Sequence, residues 1–133
     1  MQSGHASTRD SRTLLVDTNI EHGRQLSEQL SVAGFRTDLA VSWRAARAAL
    51  GLNYYHSCVI TVDLDKPVDL EQLEALRRTA PRVWMIILSD REPERPQDLV
   101  HRHGVDAMLS APFSMHDLTS QLGAFSLRAR SVS

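Results

Sequence analysis

The sequence predicts an α/β fold, a five-stranded parallel sheet with helices on both faces. Short runs of apolar and β-branched residues recur along the chain, each stopped by a polar or turn-forming residue. Between these runs, apolar residues repeat at helical spacing. The strands and helices alternate with short connections, which argues for parallel strands joined by crossover helices in one domain.

Taken in order, Thr13-Leu14-Leu15-Val16 is a first strand stopping at Asp17. From Ile20 the period turns helical, with Ile20, Leu26, Leu30 and Ala33 on one face. Gly34 suits the left-handed position past a helix end, and apolar Phe35 follows it as in a Schellman stop. Phe35 to Ala40 reads as an edge strand, because Arg36 and Asp38 break its apolarity. Ser42 caps a helix through Leu50, closed by Gly51.

The central strand is Ser57-Cys58-Val59-Ile60-Thr61-Val62, ending in the acidic loop Asp63-Leu64-Asp65-Lys66-Pro67. Asp69 to Thr79 is helical, with Leu70, Leu73 and Leu76 inward, Arg77 and Arg78 at its C-terminal end and Pro81 beyond it. Val83 to Leu88 is the most hydrophobic strand and stops at Ser89-Asp90. A polar loop with Pro93 and Pro96 leads to a short helix ending before Gly104, and Val105 to Leu109 is the last strand, stopping at Ser110-Ala111-Pro112. Ser114 caps a final helix carrying Met115, Leu118, Leu122 and Phe125, with Asp117 at the capping-box position. Residues 1–11 read as a disordered lead-in, 12–127 as the domain, and 128–133 as a disordered tail.

With 133 residues the chain supports one domain with a sizeable core. A net charge of -1 gives no electrostatic case for nucleic acid or an anionic membrane. No apolar run approaches the roughly 20 residues that span a bilayer. The single cysteine, Cys58, has no internal disulfide partner, and a reducing cytoplasmic setting is the simplest expectation.

In a parallel sheet the strand C-termini share one edge, where ligands of open α/β sheets bind. Asp17, Asp63 and Ser89 each follow directly on an apolar strand, so all three are expected to face one crevice. Asp63 can equally be read as the start of a turn. Two nearby carboxylates repel unless a proton or cation intervenes, which suggests a Mg²⁺ site of oxygen ligands. A carboxylate in such a place can also be the nucleophile toward a phosphoryl group.

At these residues the chain resembles the receiver domain of two-component response regulators, over roughly Arg12 to Leu127. Leu14-Leu15-Val16-Asp17 looks like the family's first strand and leading acid. Val59-Ile60-Thr61-Val62-Asp63, with Pro67 at an offset of four, looks like the phosphoacceptor strand. Ile86-Ile87-Leu88-Ser89 resembles the strand ending in the switch Ser or Thr, and the stretch from Gly104 to Pro112-Phe113 resembles the last strand with its Pro-Phe close.

The resemblance implies a flavodoxin-like three-layer sandwich with strand order 2-1-3-4-5. It implies a signalling role with no enzyme activity beyond self-phosphorylation and dephosphorylation at Asp63, with Ser89 bonding the phosphoryl group. It also implies Mg²⁺ held by Asp17, Asp63 and the backbone carbonyl of Asp65. The implied partners are a histidine kinase or phosphotransfer protein and a downstream effector, with a homodimer through residues 96–125. The corresponding Ala111-Pro112 bond tends to be cis.

Three positions depart from the family pattern. The acidic pair is Asp17-Thr18, so the second acid is replaced by a neutral hydroxyl. The lysine before the proline is Ala111, and the aromatic switch is Met108. Phosphoryl transfer relies on positioned charge. A missing anionic ligand and a missing cation therefore imply weak or absent Mg²⁺ binding and an atypical, degenerate receiver. The alternative is a phosphorylation-independent interaction module of the same fold.

Asp63-Leu64-Asp65 also resembles the DxD loop of haloacid-dehalogenase-type phosphatases, but here two strands precede it and the downstream lysine and acidic pair are missing. His101 and His103, two apart on a helix, point to different faces and read as solvated. Trp43 and Trp84 read as packing, Arg36, Arg44 and Arg47 as a solvated face, and Tyr54-Tyr55 as a half-buried loop. No helix-turn-helix pattern follows, so direct DNA binding is not expected.

Overall fold

The computed structural model describes residues 12–132, except for the side chains of Pro96, Leu99, Val100 and residues 124–132. Strands β1 (Arg12–Val16), β2 (Arg36–Ala40), β3 (Ser57–Val62), β4 (Trp84–Ser89) and β5 (Ala107–Ser110) form one parallel sheet in the order β2-β1-β3-β4-β5. Helices α1 (Ile20–Val32), α2 (Trp43–Leu52), α3 (Pro67–Thr79), α4 (Pro96–His103) and α5 (Met115–Val132) link and follow them. The flavodoxin-like order expected from the resemblance is the order observed. Among the described residues no helix is long and apolar enough to cross a membrane.

The period-2 alternation of the strands sorts the core into two layers. On one face Leu14, Val16, Cys58, Ile60, Val62, Met85 and Ile87 pack with Ala46 and Leu50 of α2 and Leu73 and Leu76 of α3. On the other, Leu15, Val59, Ile86 and Leu88 meet Leu26 and Leu30 of α1 and Leu118 and Leu122 of α5. Each fully buried Leu or Ile contributes about 1.5–3 kcal/mol relative to an exposed one. Two-sided burial accounts for the continuous apolar runs of β3 and β4. The edge strands β2 and β5 are only partly buried, which matches the broken apolarity of β2.

The caps follow the sequence closely. α1 ends in a Schellman motif: the Phe35 amide donates to the Leu30 carbonyl at 2.9 Å and the Gly34 amide to Ser31 at 3.0 Å, with Gly34 at φ 97°. At α5 the Ser114 hydroxyl accepts from the Asp117 amide at 3.1 Å, and the Asp117 carboxylate accepts from the Ser114 amide at 3.0 Å. The Ala111-Pro112 bond is cis, as the resemblance implied.

Beyond one-residue differences at the starts of β1 and β2, boundaries differ in five elements. α2 continues through Gly51 to Leu52, because an interior glycine costs only about 0.5–1 kcal/mol and Asn53 supplies the cap, its amide donating to Ala49. α3 begins at Pro67 rather than Asp69, since proline is well suited to the first helical position. β4 and β5 are shifted toward their C-terminal ends, with Val105 buried ahead of β5. α5 runs to Val132, past the expected start of a tail at Arg128; the stretch Arg128-Ala129-Arg130 favours helix. The expected lead-in, residues 1–11, and the side chain of Phe125 lie outside the described residues.

Candidate functional site

Three neighbouring strands, β1, β3 and β4, bring the predicted residues to one edge of the sheet. Val16 pairs with Ile60, and Val62 pairs with Ser89, so Asp63 leaves β3 two residues beyond the level at which Asp17 leaves the adjacent β1. Ser89 in turn pairs with Ser110 on β5, immediately before Ala111.

Asp17 is buried at 2% exposure, and both oxygens of its carboxylate accept hydrogen bonds. Oδ1 accepts from the Asn19 amide at 2.9 Å. Oδ2 accepts from the Thr61 hydroxyl at 3.2 Å and bonds His22 Nδ1. A carboxylate oxygen accepts, so that imidazole nitrogen is the donor. The local sequence explains the placement. Asn19 caps α1 by accepting from the His22 amide at 3.1 Å, which fixes His22 in the first turn with its ring over the strand end. Gly23 makes room for this contact: a Cβ there would lie 3.2 Å from Asp17 Cβ and 2.8 Å from a Leu39 methyl.

Asp63 is half-buried and starts a turn, the alternative reading of this residue. Its Oδ1 accepts from the Asp65 amide at 2.9 Å and its carbonyl accepts from the Lys66 amide at 3.0 Å. Its own amide donates to Asp69 Oδ2 at 2.9 Å, which anchors the loop to the first turn of α3. The Asp65 carboxylate turns away to pair with Arg91 in the loop after β4. Ser89 is buried, its hydroxyl donating to the Arg91 carbonyl at 2.5 Å and lying 3.5 Å from the Ser110 hydroxyl. The β3–α3 and β4–α4 loops are thus tied together through Arg91.

Neither a family model nor a curated protein matches the sequence. Solved structures do. A CheY-like response regulator receiver domain protein from Methanospirillum hungatei aligns with a TM-score of 0.75 at 17% identity, covering 91% of this chain and 98% of that one. The chemotaxis protein CheY4 of Vibrio cholerae aligns with a TM-score of 0.72 at 23% identity, covering 86% of this chain and 98% of that one. The fold is that of a receiver domain. A response regulator from Burkholderia pseudomallei, solved with a phosphorylated aspartic acid, a calcium ion and citrate, aligns with a TM-score of 0.70 at 21% identity, covering 92% of this chain and 73% of that one.

Within this receiver fold the supporting charges are sparse. Thr18 and Ala111 are exposed, and neither carries a charge. Among the described residues no group of three or more His, Cys, Asp or Glu side chains is placed to hold a metal ion. With both Asp17 oxygens already accepting from protein donors and a hydroxyl in place of the second acid, the donor set does not fit a Mg²⁺ centre built on an acidic pair. Sequence reasoning missed His22, Thr61 and Arg91. The first carried a usable signal, a histidine in the first turn of the helix that follows a strand-end aspartate. The other two are fixed by strand register and loop packing.

Proposed function

We propose that this chain is an atypical receiver domain acting in two-component signal transduction, with Asp63 as the phosphoacceptor. The observation that carries the reading is the position of Asp63. It follows the central strand, half-buried, with one carboxylate oxygen held by the Asp65 amide and Ser89 at the end of the adjoining strand. A carboxylate oxygen of Asp63 would bond to phosphorus as the donor's own bond to phosphorus breaks, the electron pair leaving with the donor. The Ser89 hydroxyl would then exchange the Arg91 carbonyl for a phosphoryl oxygen. The partners on this reading are a histidine kinase or phosphotransfer protein and a downstream effector, with the surface from residues 96–125 as a homodimer face.

Asp17 held by His22, and Ala111 in the place of a lysine, favour a second reading, in which the fold serves as an interaction module independent of phosphorylation. Incubating the protein with acetyl phosphate and weighing it intact separates the two. Addition of one phosphoryl group, absent from Asp63→Ala, supports the phosphorelay reading. An unchanged mass sinks it in favour of the interaction module.

A further inference from the structure

We infer that His22 takes the place of a divalent cation at the Asp17 end of the crevice, so that the buried carboxylate is compensated by protein donors and the site excludes a metal ion. The inference goes beyond the function proposed above and is independent of whether Asp63 accepts a phosphoryl group, because it concerns the unmodified protein.

A carboxylate at 2% exposure needs compensation, since an isolated buried charge is strongly disfavoured. Here the compensation is local. The Asn19 amide satisfies Oδ1, while the Thr61 hydroxyl and His22 Nδ1 satisfy Oδ2. The start of α1 adds the partial positive charge of its unpaired amides. His22 is the third residue of α1, positioned by the Asn19 cap, and its ring reaches back to the acid that closes β1.

Mg²⁺ demands near-octahedral oxygen coordination and gives up water reluctantly. To ligate it through Oδ2, Asp17 would have to release His22 or Thr61, and the neighbouring Thr18 offers only a neutral hydroxyl. The imidazole side chain is 48% exposed while the carboxylate it bonds is at 2%, so His22 stands on the more open side of the pair.

Titration with Mn²⁺, followed by calorimetry and by broadening of backbone amide signals, tests the inference. The wild-type protein is expected to show no saturable binding and no selective broadening at Asp17, Thr18 or Thr61. His22→Ala is expected to gain saturable binding, tighter by roughly tenfold or more, the worth of one hydrogen bond to a charged acceptor. The gain is expected to vanish in the double variant His22→Ala, Asp17→Asn. Wild-type affinity equal to that of His22→Ala overturns the inference, and so does absence of binding by both. Selective broadening at Asp17 in the wild-type protein overturns it with no variant needed. None of these readouts uses a phosphodonor, so failure here and failure of the phosphorelay reading are separate results.

Discussion

The hydroxyl of Ser89 donates to the backbone carbonyl of Arg91, two residues further along, and so is already committed in the unmodified protein. Any role in binding a phosphoryl oxygen requires that bond to break. Ser89→Ala should leave the Arg91 carbonyl short of a donor and cost about 1 kcal/mol. The check is a shift in the urea midpoint with an unchanged m-value.

Arg91→Ala separates the loop tether from global stability. Its pair with Asp65 is exposed on both sides and contributes only about 0–1 kcal/mol, so the melting temperature should barely move. Hydrogen exchange should nevertheless quicken selectively in residues 90–95. Equal protection in variant and wild type would show that this ion pair does not hold the loop.

Arg77 presents the opposite case, a structural residue hidden as one of two C-terminal helix charges. Its guanidinium donates to the carbonyls of Gly104, Ala80, Pro81 and Val83 and pairs with Asp106 at 2.7 Å. Asp106 in turn accepts from the Met85 amide, so one side chain fastens α3, β4 and the approach to β5. Arg77→Ala should destabilise by about 2–3 kcal/mol, after discounting for partial exposure. Arg77→Lys should recover little, because one ammonium cannot span the fork. Urea unfolding of the two variants decides this.

Gly34→Ala isolates backbone strain, since a Cβ there meets nothing within 4 Å and only the φ of 97° resists it. The expected cost is about 1–2 kcal/mol. A smaller loss would mean that the α1 terminus relaxes.

The Tyr55 phenol is pushed up to about 12 by burial and by its hydrogen bond to Asp38. With the folded value above the unfolded one, near 10, its stabilising contribution is full below about pH 10 and is lost as pH rises toward 12. Asp38 is held below the usual carboxylate range. Burial alone would raise it, but hydrogen bonds from Tyr55 and Arg12 and the charges of Arg12 and Arg36 outweigh that. Its contribution is therefore present above about pH 4 and fades as pH falls through the lower folded value. A phenolate absorbance titration should show a late component that Tyr55→Phe lacks.

The layering of the sheet was legible because β3 and β4 are apolar on both faces, while Arg36 and Asp38 mark β2 as an edge. Gly34-Phe35 and Ser114 with Asp117 gave two helix ends by local chemistry alone. Gly51 misled, because an interior glycine costs less than the neighbouring helical contacts return. At the site, Asp17, Asp63 and Ser89 were readable as strand-end polar residues. Their partners were not: Thr61 meets Asp17 only through the β1–β3 register, and Arg91 meets Asp65 only when two loops are folded side by side.

Cys58 is the one thiol in the chain, fully buried in the central strand, where burial raises its pKa to about 12 and Arg77 only partly offsets this. A sulfhydryl so placed is both shielded and protonated, and an alkylating reagent can reach it only when the middle of the sheet comes apart. Its modification rate therefore times whole-domain opening, and the protein carries its own label for that event without any engineered probe.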